Sequence, residues 1–147
     1  MFGLKLFAAA AILAQGVFGE GIHLLNCRPF GGAGVSQTWL SIVAYCANDA
    51  DCNSLQYSIP DKDACIVSSS GTAESYHIWE GSSQSCTFSS TGVTFHWNIP
   101  SNAQSRPNYS SVGTGSNGFK TFAGFKDDHS TSASYSYHSC EKIYYYV

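Results

Sequence analysis

Glu80, Arg106 and His129 together supply what metal-free phosphodiester cleavage requires: a carboxylate to take a proton, a guanidinium to hold the phosphate and an imidazole to return the proton. A second constellation is Asp127, Asp128 and His129 followed by Ser130, Thr131 and Ser132, a local cluster of hard oxygen donors that suits calcium better than a transition metal. Other chemistries lack their signatures. The five His residues show no HExxH or HxxxH spacing, and the six Cys contain no CxxC pair. No GxSxG turn offers an activated serine. The glycine-rich run Gly113 to Gly118 lacks the Lys of a phosphate loop.

The elements that must position these residues read as strands. Charged residues are 12% of the chain, about half the usual share of roughly 25%, which leaves little for the Glu and Lys pairs of surface helices. Short alternating runs are expected as strands at Ile22 to Cys27, Trp39 to Cys46, Ser54 to Ile59, Ala64 to Ser69, Tyr76 to Trp79, Ser85 to Ser89, Val93 to Ile99, Lys120 to Phe125, Ser134 to Ser139 and Lys142 to Val147. Turn signals such as Pro60-Asp61, Ser90-Thr91-Gly92 and Asn117-Gly118 separate them. Ser36 to Cys46 has a helical alternative with Ser36 as N-cap, but its β-branched and aromatic residues favour a strand. Val93, Phe95, Trp97 and Ile99 fall on one face, expected to be core. Pro100 to Gly118 has no period and reads as one long irregular loop carrying a glycosylation acceptor, Asn108-Tyr109-Ser110. The expected fold is all-β, an antiparallel sandwich or small barrel.

Residues 1–19 read as a secretory signal: one charge at Lys5, an apolar run from Leu6 to Ala14, then small residues ending at Gly19. The apolar run is about half of the ~20 residues needed to cross a bilayer, so no membrane anchor is expected. The mature chain would be a single domain, 20–147, whose net charge moves from −3 to −4 with the loss of Lys5. Without a basic footprint, duplex nucleic acid is not an expected partner. In an oxidising compartment six cysteines imply three disulfides. Fifteen pairings are possible; the arrangement expected here joins Cys46 to Cys52 across a short Asp-rich loop, Cys65 to Cys86 across adjacent strands and Cys27 to Cys140 as a clasp between the two ends.

The order Glu80, Arg106, His129, with Tyr76 and His77 ahead of it, resembles that of small fungal guanyl-specific ribonucleases and implies RNA hydrolysis. That family separates the His from the Glu by a strand or more, whereas two residues separate His77 from Glu80 here. Asp127 to Ser132, with Phe122-Ala123-Gly124 as an aromatic-x-Gly corner, resembles βγ-crystallin-like domains, which implies calcium on Asp127 and Asp128. The segments Ile22 to Cys27, Tyr45 to Cys52, Trp79-Glu80-Gly81 and Phe125 to Asp128 look like the small cysteine-rich proteins secreted by filamentous fungi, some of which act as effectors or elicitors. This last resemblance implies a secreted, extracellular domain that works by recognition. Aromatics are 14% of the chain, and exposed rings suit a sugar face or a protein partner. Trp79, Tyr109 and Tyr145 are the expected contact residues, Tyr145 being exposed if Tyr144 and Tyr146 are buried, or the reverse. The leading expectation is a monomer without catalytic site or cofactor that binds a host or cell-wall protein or glycan.

Overall fold

The computed structural model describes residues 19–32, 37–54, 57–71 and 75–147. Residues 1–18 of the expected signal, and Ser36, lie outside them. Nine strands form one antiparallel sheet: β1 (Gly21–Pro29), β2 (Trp39–Cys46), β3 (Ala64–Ser70), β4 (Ser83–Thr87), β5 (Thr94–Asn98), β6 (Ser111–Ser116), β7 (Thr121–Lys126), β8 (Ser132–Tyr135) and β9 (His138–Tyr146). The hydrogen-bonded path runs β3-β2-β1-β9-β7-β6-β5-β4, with β8 paired to β9 off that path. A single helical turn, α1 (Asp49–Cys52), follows β2, with Asn48 as its N-cap.

The ends of the path meet. Cys65 on β3 is bonded to Cys86 on β4, its sulfur lies 3.2 Å from the Thr87 carbonyl, and Ser90 Oγ donates to the Lys62 carbonyl at 2.5 Å. The sheet is therefore a nearly closed barrel, of the two architectures expected, and the seam is stapled rather than laddered. Cys27–Cys140 and Cys46–Cys52 complete the three bonds, and all three are the expected pairings.

Inward-facing aromatics fill the barrel. Phe95 packs against Trp97, Phe122 and Tyr146 with ring centroids 6.0, 5.8 and 5.2 Å apart. Room for them comes from two glycines. A Cβ on Gly115 would stand 2.3 Å from the Phe95 ring, and one on Gly124 2.3 Å from the Tyr146 ring. A second, smaller core lies on the outer face of β1, β2 and β9, where Leu25, Cys27, Ile42, Ala44 and Cys140 are covered by β8 and by Ile59. β1 and β2 are thus buried on both faces along most of their length, and the run Leu40 to Ala44 of β2 is apolar apart from Ser41.

β9 serves both cores. The register slips at Ile143, and beyond that bulge its free edge passes from β8 to β7.

Several expectations need correction. Ser111 to Ser116 is a strand inside the segment read as irregular. Ser134 to Ser139 is two strands, because Ser136 and Tyr137 turn the chain at φ 39° and 64°. Among the described residues, Ser54 to Ile59 carries only an isolated bridge, Ser58 to Ser134, and Tyr76 to Trp79 has no ladder. Two histidines, His23 and His138, are buried, the latter with its ring between the carbonyls of Ser136 and Thr38 at 2.7 Å each.

Candidate functional sites

Glu80 follows Trp79 into a bend where Gly81, at φ 88°, donates to the Ile99 carbonyl. Its Oε1 accepts from the Tyr144 hydroxyl at 2.5 Å and from Gln104 Nε2 at 3.0 Å. Burial, the Glu80 hydrogen bond and its charge together hold the Tyr144 phenol protonated far above the ordinary tyrosine range. Arg106 donates to Asn102 Oδ1 at 2.9 Å and to the Ser111 carbonyl at 3.0 Å. His129 Nδ1 lies 3.1 Å from Glu141 Oε1, outside hydrogen-bond alignment. Among the described residues no hydrogen bond or ion pair joins any two of Glu80, Arg106 and His129. Each is engaged elsewhere: Glu80 on the barrel floor, Arg106 within its own loop, His129 against β9.

Trp79 is not a surface residue. It is 1% exposed, its ring lies 5.8 Å from that of Trp97, and its indole N–H donates to Asn26 Oδ1 at 3.0 Å. Its large apolar ring is drawn into the core because Asn26 satisfies the one polar atom it carries. Tyr109 and Tyr145 do share one side of the molecule. Tyr144 and Tyr146 point inward, and Tyr145 is half-buried on the outside, stacked on Phe125 at 5.4 Å and facing His23 at 6.3 Å. Tyr109 is 59% exposed, and its hydroxyl donates to the Asp128 carboxylate. That bond, foremost, raises the Tyr109 phenol to about 12. Hydrogen bonds from Ser130 and Tyr109 hold Asp128 down to about 2. Asp127 Oδ1 accepts from the His129 backbone at 2.8 Å, Asp128 Oδ1 from the Ser130 backbone at 3.0 Å, and Asp127 is buried. Both carboxylates cap the turns of their own loop. Asn108, the asparagine of the expected glycosylation sequon, is exposed in the turn beside Tyr109.

A buried polar network lies under this side and was not apparent from the sequence. His23 Nε2 meets Asp49 Oδ1 at 2.8 Å, a contact made possible by Gly21, where a Cβ would stand 2.2 Å from that same carboxylate oxygen. Lys142 is 1% exposed and donates to the Cys52 carbonyl at 2.5 Å and to Asn53 Oδ1 at 3.0 Å. Burial lowers the Lys142 ammonium, and it also raises Asp127. For Asp49, burial is outweighed by His23, Asn53 and Lys142, so its carboxyl titrates below the ordinary range. Among the described residues, His23 with Cys46 and Cys52 is the one group of three side chains close enough to share a metal ion, but the two sulfurs are already bonded to each other.

The mouth of the barrel was also missed. A cavity of about 500 Å³ opens there, with Ile22, Tyr45, Phe88 and Val93 as its apolar wall and Glu20, Lys62 and Asp63 on its rim. Phe119 lines it from the tip of the β6-β7 hairpin and is 86% exposed. The tip is held by Asn117, whose Oδ1 accepts from the backbone N–H of Phe119 at 3.0 Å and of Lys120 at 2.8 Å. Phe119 stood in the sequence directly after Asn117-Gly118, a hairpin signal, and a large apolar residue at a hairpin tip was the available clue.

No protein family, curated protein or solved structure matches this chain.

Proposed function

We propose that this chain is a secreted, extracellular recognition domain of the effector or elicitor type, binding a host or cell-wall component at the mouth of its barrel. One observation carries the reading: a nearly bare phenylalanine, Phe119, is held by Asn117 beside a cavity of about 500 Å³ with an apolar wall and a polar rim. Small-ligand and partner sites favour this composition, and the mouths of β-barrels are one of their usual places. The backbone that carries the ring is held before binding, which spares part of the ordering cost of contact. The three disulfides suit an oxidising compartment, and among the described residues no helix is long and apolar enough to cross a membrane.

The test is co-sedimentation of the purified mature protein with isolated wall material and with intact host cells. Wild type is expected to pellet and Phe119→Ser to remain in solution at an unchanged melting temperature. Equal pelleting of the two would remove the mouth from the account. An RNA-cleavage assay on the same sample covers the hydrolase alternative; cleavage abolished by Glu80→Gln would replace recognition with catalysis.

A further inference from the structure

Around the outside of the barrel from the mouth runs a shallow groove across β4, β5, β6 and β7, enclosing about 560 Å³. Ser83, Ser85, His96, Asn98, Thr114 and Thr121 line it, and all six are exposed. Its lining contains no Asp, Glu, Lys or Arg. Among the described residues none of these six side chains spends its polar atoms on a protein hydrogen bond. His96 also lines a second depression of about 370 Å³ that ends at Phe119, and that depression shares Thr91, Val93, Asn117 and Phe119 with the mouth. The three hollows form one track, with a free aromatic ring between the uncharged groove and the mouth.

We propose that this track binds a neutral oligosaccharide, with a sugar ring stacked on Phe119 and further residues lying along the groove toward Asn98. The inference deepens the recognition reading and rests on it. An anionic ligand would need cations, and the groove has none; a lipid would need apolar walls, and the groove is hydroxyl, amide and imidazole. A peptide adding as a strand needs a free sheet edge, but the middle of the groove is the outer face of β5 and β6, each already paired on both sides. Unspent hydroxyl and amide groups pair with sugar hydroxyls, while an exposed ring covers the C–H face of a pyranose.

Titration calorimetry with cellohexaose, chitohexaose and laminarihexaose tests it. At least one is expected to bind, and both Phe119→Ala and the groove pair His96→Ala with Asn98→Ala are expected to weaken it tenfold or more with unchanged melting temperature. No heat from any hexamer at millimolar concentration overturns the inference, as does binding that survives both sets of substitutions. The recognition reading fails separately. If wall or cell binding is lost in Phe119→Ser but unaffected in Thr114→Glu, which places a charge in the groove, the mouth recognises something other than this glycan and the groove is idle.

Discussion

Cys65 and Cys86 join the two strands that end the sheet, so a single covalent bond does the work of the ladder missing between β3 and β4. The bond spans 21 residues and the Cys27–Cys140 clasp spans 113. Chain entropy alone assigns them about 3 and about 5 kcal/mol respectively. Urea unfolding of the paired Cys→Ala variants is therefore expected to rank the clasp as the costlier loss. The opposite ranking would show that seam closure contributes native-state stability beyond the restriction of the unfolded chain.

Gly115 and Gly124 are predicted to be intolerant of any side chain. An added methyl group would collide with Phe95 or Tyr146 inside a filled barrel, and overpacking of this kind costs about 1–3 kcal/mol. Gly115→Ala and Gly124→Ala should each lower the urea midpoint, whereas Gly71→Ala meets no neighbour within 4 Å and is expected to leave it near wild type. Similar midpoints for all three would show that the interior is looser than described.

The buried network sets a sign for acid sensitivity. Asp49 titrates below its ordinary 3.8 in the folded chain, so its contribution is present above that value and is lost as pH falls through the folded-state pKa. Asp127, raised by burial, works in the opposite sense, since protonation relieves its cost as pH falls. Asp49→Asn is expected to be less stable than wild type at pH 7 and to show a shallower loss below 3.8, read from urea midpoints against pH. An unchanged acid limb would remove Asp49 from the network.

Lys142→Met keeps the stem and deletes the charge that faces Asp49 and Asp127. It removes a cation that favours the ionised forms of Asp49 and Asp127, and it leaves the buried Cys52 carbonyl without its donor, which costs about 1–3 kcal/mol. Combining it with Asp127→Asn should recover part of that loss, and strict additivity in the double variant would argue that the two do not interact.

Trp79 and Tyr109, grouped by the sequence as contact residues, are expected to separate on mutation. Trp79→Ala opens a cavity beside Trp97 and loses the bond to Asn26, about 3–5 kcal/mol. Tyr109→Ala changes an exposed ring and should leave the melting temperature close to wild type. A large thermal shift for Tyr109→Ala would reveal a structural role for its bond to Asp128.

Much of this architecture was legible in residue order. Trp39 to Cys46 announced a strand by its β-branched and aromatic content, and alternation put Phe95, Trp97 and Ile99 on the core face. Ser111 to Ser116 was hidden because Ser-Val-Gly-Thr-Gly-Ser has little intrinsic strand preference. It is made a strand by β5 and β7 on either side, and its glycine at 115 is there for the Phe95 ring. The turn at Ser136 and Tyr137 carried no glycine or asparagine to mark it. Sites fared worse. The burial of Lys142, the pairing of His23 with Asp49 and the mouth around Phe119 all arise between residues distant in sequence, and periodicity carries no trace of them.

Recognition is assigned to the mouth of the barrel, around Phe119. The most direct measurement is a ¹⁵N–¹H chemical-shift map of the mature protein titrated with soluble extract of the material that it sediments with. The largest changes are expected at Phe119, Asn117, Thr91 and Val93. Changes centred instead on Tyr109, Tyr145 and Asp128, or on Glu80 and Gln104, would contradict it.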